Sequence, residues 1–162
     1  MKKIFFVCLL ITAFLVSCKS VPKVEKNTAG EKVSSEFSNV TGKDWKLIEV
    51  RIKNVDTGFN RRSLTRSETM DYFTVNFNPE MISGVGAPNR YSAPYKLGEG
   101  KSINILIVRA TLMATLFETE KLREHDFFGY IQNTYGWNLV DNNLVLSSKA
   151  ENGNEVVMVF SL

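Results

Sequence analysis

The chain is poor in the residues that carry most metal, redox and nucleophilic chemistry, with 2 cysteines and 1 histidine among 162 residues. Cys8 lies inside an apolar run near the start and Cys18 closes it, so beyond position 18 no thiol is left to pair, to bind zinc or to attack a substrate. His125 stands alone and cannot form the His and Cys sets that hold zinc. A Gly-x-Ser-x-Gly elbow, an Asp-x-Asp-x-Asp-Gly calcium loop and an internal repeat are all missing from the sequence. The longest apolar run, Ile4 to Val16, falls short of the roughly 20 residues that a membrane-spanning helix needs. Charge of one sign is also lacking: 20 Lys and Arg stand against 17 Asp and Glu, a formal net charge of +3. Nothing in that balance points to nucleic acid, and no metal, cofactor or catalytic group is expected.

What is present at the start is a targeting signal. Lys2 and Lys3 form a basic n-region, Ile4 to Val16 an apolar h-region, and Leu15-Val16-Ser17-Cys18 reads as a lipobox. Residues 1–17 are therefore expected to be a lipoprotein signal peptide, cut before Cys18. The Cys18 thiol would then carry diacylglycerol through a thioether, and its amine a fatty acid such as palmitate. Each buried CH₂ contributes about 0.8 kcal/mol, and more than one chain makes attachment to the membrane stable. Loss of Lys2 and Lys3 takes the charge of +3 down by two, so much of the apparent basicity belongs to the signal. Lys19 follows Cys18 in place of the Asp that retains some lipoproteins at the inner membrane. The expected location is the bacterial cell envelope, lipid-anchored on the periplasmic face, with the outer membrane favoured.

Residues 18–43 comprise the lipidated cysteine and a stretch rich in Lys, Ser, Glu, Asn and Thr, which buries too little apolar surface to offset ordering entropy. It is expected to be a flexible tether, with an end-to-end distance of about 25–30 Å. Residues 44–162 then suit one domain with one core. In Trp45 to Ile52 the apolar alternation slips at Ile48-Glu49, which predicts a strand with a bulge. Lys53 to Asp71 reads as a long polar loop. Tyr72 to Asn78 alternates Phe73, Val75 and Phe77 with polar residues, the pattern of a half-buried strand. Gly84 to Asn89 is a turn-forming stretch, and Pro94 demotes Tyr91 to Leu97 to a short or edge strand. Ser102 to Ala110 is rich in Ile and Val on both faces and predicts a strand covered on two sides. Thr119 to Gln132 carries Leu122, Phe127, Phe128 and Ile131 at helical spacing. Trp137 to Val140, Leu144 to Ser148 and Val156 to Phe160, separated by turns at Asp141-Asn142-Asn143 and Asn152-Gly153, predict a closing meander. The expected fold class is α+β: a strongly curved antiparallel sheet or incomplete β-barrel with one main helix.

This order of elements resembles the META domain, the module of HslJ-like heat-inducible proteins and of many envelope lipoproteins. The residues that carry the resemblance are Trp45 and Leu47; Phe73 and Phe77 ahead of Gly84-x-Gly86-x-x-Asn89 and Tyr95; Thr111-Leu112-Met113-Ala114; Glu120 ahead of Phe127-Phe128; and Tyr135, Leu144-Val145-Leu146 and Val159-Phe160. Where many members have a cysteine pair, this chain has Pro88 and Thr115. The resemblance implies a META-like fold and, loosely, a non-enzymatic binding role in envelope maintenance or stress tolerance, since fold alone does not fix function. The fold is also similar to the cracked barrel of pilotins, which implies an alternative: a chaperone for the lipid tail or an apolar peptide of a secretion component.

Against that background the candidate sites are few. His125, between Glu124 and Asp126, reads as a solvated helix-surface residue rather than a catalytic base. Glu118, Glu120, Glu124 and Asp126 follow helix-start and surface patterns. Gly84 and Gly86 serve a tight turn rather than a phosphate cradle, because Pro88 follows where a helix N-terminus would be needed. Arg61, Arg62 and Arg66 form a basic loop that is either solvated or in touch with anionic headgroups. Trp45, Tyr130, Tyr135 and Trp137 are counted with the core aromatics. An incomplete barrel can leave an apolar groove between sheet and helix; Phe73, Phe77, Phe127, Phe128 and Ile131 are its candidate lining, for an apolar ligand or protein partner. The anchor gives the first prediction: cells fed a labelled fatty acid should label the wild-type chain and leave Cys18→Ser unlabelled, and equal labelling of the two would refute lipidation at Cys18.

Overall fold

The structure is a computed structural model, and it describes residues 35–59, 61, 71–114 and 121–162. The signal peptide, Cys18, Arg62, Arg66, Thr115, Glu118 and Glu120 lie outside the described residues. The strands are β1 (Trp45–Ile52), β2 (Val55–Asp56), β3 (Thr74–Phe77), β4 (Met81–Val85), β5 (Arg90–Leu97), β6 (Ile103–Ile105), β7 (Arg109–Ala110), β8 (Gly136–Val140), β9 (Asn143–Lys149) and β10 (Glu155–Ser161). The helix α1 (Glu124–Gln132) precedes β8. All strand pairs are antiparallel, in the order β6-β5-β4-β3-β1-β10-β9-β8, with β2 added to β1 and β7 to β5. The two ends of this order meet through a bridge between Ser102 and Gly136. Backbone bonds from Ile103 to Tyr135 (3.0 Å) and from Trp137 to Lys101 (2.9 Å) reinforce it. The sheet is therefore a nearly closed barrel with a seam, and closure removes most of the unpaired edge that an open sheet exposes.

The bulge in β1 lies where the pattern slips: Leu47 pairs with Phe160 and Glu49 with Val159, leaving Ile48 extra. Immediately after, the first residues of the expected long loop, 53–56, turn back as a hairpin, and residues 60 and 62–70 of that loop lie outside the described residues. Lys53 and Asn54 take left-handed backbone (φ 52° and 62°) and bring Val55 opposite Ile52, the geometry of a two-residue turn. Asp141 and Asn142 (φ 50° and 64°) do the same between Val140 and Asn143. Phe73 also has positive φ, 51°, which for a bulky residue is an uncommon conformation. It ends the β3 ladder at Thr74, so that strand starts later than its alternation suggests.

Three expectations fail for steric or pairing reasons. Gly84 and Val85 belong to β4 rather than to a turn; without a Cβ, Gly84 lies against the Thr74 carbonyl and the Tyr91 ring, and the turn shrinks to Gly86–Asn89. β5 is neither short nor an edge: β4 lies on one side, and on the other β7 pairs Tyr91 and Ser92 while β6 pairs Tyr95 to Leu97. Pro94 sits in the gap between β7 and β6, where its missing N–H breaks no ladder, and its carbonyl accepts the Leu106 N–H at 2.8 Å. The predicted strand Ser102 to Ala110 is interrupted at 106–108, with Leu106 and Ile107 exposed. The Gln132 carboxamide bridges the break, donating to the carbonyls of Ile105 (3.2 Å) and Leu106 (2.7 Å) and accepting the Val108 N–H (2.8 Å). The helix begins at Glu124, later than the expected Thr119, and of residues 121–123 only Leu122 is buried.

The fold begins before residue 44, inside the stretch expected to be tether. A helical turn at residues 35–37 and the chain after it are part of the fold, with Phe37 and Val40 in the core. Phe37 enters one mouth of the barrel, against Phe77 (5.2 Å), Tyr95 (5.7 Å) and Trp137 (4.8 Å between ring centroids). The Trp45 indole donates to the Val40 carbonyl at 2.9 Å, and Glu36 pairs with Lys101 at 3.0 Å. At the other mouth α1 inserts Phe127 against Phe73 (5.1 Å) and Tyr91 (5.8 Å). Phe73 and Phe77 stand at opposite ends of β3, as Tyr91 and Tyr95 do on β5, so the two plugs fill the barrel from opposite sides. Burying one such side chain contributes about 1.5–3 kcal/mol. Phe37→Ala should destabilise the domain by about 3–5 kcal/mol in urea unfolding; a change below 1 kcal/mol would mean that residues 35–40 are dispensable.

Candidate functional site

The five residues expected to line an apolar groove do not line one. Phe73, Phe77, Phe127 and Ile131 are 0% exposed, and Phe128 is half-buried against Tyr91 (5.3 Å) and Phe127 (6.1 Å). The helical stripe and the inner sheet face cover each other, so the apolar surface that would have formed the groove is consumed as core. Phe77 does not meet the helix residues in any ring pair; it stacks with Phe37 and Tyr95 at the far mouth.

The Gly86–Asn89 turn is tied to the helix through a carboxylate. Glu124 Oε1 accepts the backbone N–H of Ala87 (2.5 Å) and of Asn89 (2.6 Å), and Oε2 accepts the Asn89 side-chain N–H (2.7 Å). The Asn89 carbonyl oxygen in turn accepts the Thr111 hydroxyl (2.8 Å) and the Met113 N–H (2.6 Å). Gly86 must lack a Cβ, which would stand 2.6 Å from Glu124 Oε1 and 2.7 Å from the Phe128 ring. The glycine pair therefore serves close packing rather than anion binding: a carboxylate already holds the turn's N–H groups.

Arg61 of the basic loop is likewise engaged. It donates to the carbonyls of Leu47 (3.2 Å), at the β1 bulge, and Tyr72 (2.8 Å), and pairs with Asp71 (3.2 Å). Lys46, joined by Arg61, holds the Asp71 carboxyl below its ordinary range. Arg61 thus clamps β1 to the chain just before β3.

Concave surface is found on the outside, where α1 faces the β9–β10 hairpin. Two hollows of about 590 and 320 Å³ share Ala150 and Glu151. The larger is lined by Asn133, Tyr135, Lys149 and Glu155, and the smaller by Arg123, His125, Asp126 and Tyr130. His125 is on the open face, its side chain 81% exposed and 3.5 Å from Glu151, as a helix-surface histidine should be. Among the described residues Glu151 is the one group paired with it. Arg123 grips Asp126 through two bonds of 2.8 and 2.9 Å. Tyr135 is not a core residue: it is 45% exposed, with its hydroxyl bonded to Glu155 and Lys149 Nζ 5.9 Å from its ring. The signal for this groove was in the sequence, since a turn at Asn152-Gly153 sets Lys149 opposite Glu155. What the sequence could not give was the packing of α1 beside that turn. Among the described residues no group of three potential metal ligands comes together.

The phenols record their surroundings. Burial pushes Tyr91 well above its ordinary range and raises Tyr95 and Tyr130, and the bond to Glu155 is the main cause of the rise at Tyr135. A phenol whose value is raised by folding stabilises the fold below its unfolded value of about 10 and loses that contribution as pH climbs through the raised value. Stability should therefore fall on the alkaline side above pH ~10. Glu155→Gln should lower the titration midpoint of Tyr135, followed by NMR of its ring carbons, while Tyr91 stays unchanged; an unmoved Tyr135 would contradict the pairing.

No family model matches this chain, and no curated protein does. Among solved structures, an NMR structure of a protein from Burkholderia xenovorans is similar with a TM-score of 0.52 and 17% identity, over 78% of this chain and 87% of that one. That likeness establishes the barrel as a fold adopted elsewhere.

Proposed function

We propose that this chain is a META-like lipoprotein of the bacterial envelope, held by lipid on Cys18, whose barrel is a non-enzymatic binding module acting through its outer surface in envelope maintenance or stress tolerance. The lipobox supports the anchor. Among the described residues no helix is long and apolar enough to cross a membrane, so in this reading the lipid on Cys18 does the attaching. Lys19 favours the outer membrane. The META-like reading gains support from the way its scattered motif residues converge: Asn89 meets Thr111 and Met113, and Gly86 lies against Phe128, at the mouth that Phe127 and Phe128 close.

The observation that carries the surface role is the filled interior. A pilotin-like chaperone would need a continuous apolar groove, and the residues best suited to line one are packed on each other from both mouths. The concave surface outside the barrel is lined by polar and charged side chains with two tyrosines. Native mass spectrometry of the full chain, mixed with a free fatty acid or an apolar peptide, should show only covalently attached lipid. A stoichiometric non-covalent acyl or peptide adduct would overturn this reading in favour of the chaperone.

A further inference from the structure

We infer that the hollow between α1 and the β9–β10 hairpin is a saccharide-binding site, with Tyr135 as its platform and Asn133, Glu151 and Glu155 as its hydrogen-bonding edge. The inference rests on the reading of the domain as a surface-binding module and names the chemistry of its ligand. A sugar ring presents C–H groups on its faces and hydroxyls around its rim. It therefore fits a site that offers an aromatic face, which carries a negative quadrupole toward C–H groups, beside paired acceptors and donors. Tyr135 offers that face: it is 45% exposed, with Lys149 Nζ 5.9 Å from the ring centroid.

The ring is also held in place before any ligand arrives. Its hydroxyl is bonded to Glu155, its N–H donates to the Ser147 carbonyl at 3.0 Å, and its own carbonyl accepts the Ile103 N–H at 3.0 Å across the barrel seam. A preorganised platform loses little freedom on binding. The rim groups are of both kinds. Glu151 and Glu155 are acceptors, Lys149, whose Nζ is 3.9 Å from Glu155 Oε1, is a donor, and Asn133, whose amide N–H donates to the Lys149 carbonyl at 3.2 Å, offers an oxygen. The larger hollow holds one cation against two carboxylates, and the smaller adds Arg123 already matched by Asp126. That balance disfavours phosphate, anionic headgroups and nucleic acid, and the charged rim of Lys149, Glu151 and Glu155 disfavours a bare acyl chain. An uncharged glycan, of which an N-acetylhexosamine oligomer is the simplest probe, satisfies both constraints.

The test is an NMR titration of the full chain in detergent with the trisaccharide of N-acetylglucosamine, and in parallel with inorganic phosphate. The amides of Tyr135, Ala150, Glu151 and Gly153 should shift in a saturable manner with the sugar and not with phosphate. Tyr135→Ala and Glu151→Gln should each weaken binding at least about tenfold, a loss of about 1.4 kcal/mol. Amides of β1, β3 and β4 should keep their positions in both variants, showing that the barrel is intact. Absence of saturable shifts below about 10 mM sugar, shifts confined to another face, or unchanged affinity in Tyr135→Ala would each overturn the inference. Those results would leave surface binding standing, whereas a stoichiometric acyl cargo would strike at that reading itself.

Discussion

One carboxylate holds the Gly86–Asn89 turn and, through Asn89, the stretch at 111–113, and the helix-bearing mouth of the barrel depends on it. Glu124 receives N–H groups from Ala87 and from both the backbone and side chain of Asn89. Asn89 passes the connection on to Thr111 and Met113. Half-buried N–H groups in a turn would cost about 1–3 kcal/mol each if left unpaired, and a bond to a charged acceptor returns about 1.5–3 kcal/mol. Ordinary turn chemistry cannot satisfy three donors at this place. A charged side chain in the first turn of α1 can, and its negative charge there also suits the helix dipole. The same bonds fix where α1 starts, and thereby carry Phe127 onto Phe73 and Tyr91.

From this follows the filled interior. With α1 locked across one mouth and Phe37 and Val40 seated in the other, the barrel has no room for the apolar groove that an incomplete barrel suggests. Trp137 marks the tightness of that packing: its indole N–H is buried without a hydrogen-bond partner, under the Phe37 ring at 4.8 Å and with Lys101 Nζ 4.6 Å from its own ring. In the proposed binding role, a ligand meets the domain from outside. The position of α1, set by Glu124, also places Asn133 and Tyr130 beside the last hairpin, and so shapes the outer hollow.

Much of the sheet was legible in the sequence, because a one-sided strand writes its burial into alternate residues. Phe73, Val75 and Phe77 are all on the inner face, and the slip at Ile48 is a bulge. The turns at Asn142 and Gly153 were readable from residues that tolerate left-handed backbone. What escaped were features fixed by distant contacts. Pro94 reads as an edge signal, yet it occupies a gap between two partners of a central strand. Phe37 reads as an isolated apolar residue in a polar stretch, and only the opposite mouth of the barrel gives it a place. Glu124 reads as a helix-start residue, which it is, but nothing local reveals the three donors it receives from residues more than thirty positions away.

Hydrogen exchange at the Glu124 junction tests this dependence most directly. The amides of Ala87, Asn89 and Met113 lie outside every strand and helix, so by secondary structure alone they should exchange at loop rates. If the junction closes the barrel as described, all three exchange only with global opening, as slowly as the amides of β1 and β10, and Glu124→Gln accelerates them together. Exchange of Ala87 and Asn89 at the rate of exposed turns in the wild-type chain would contradict it.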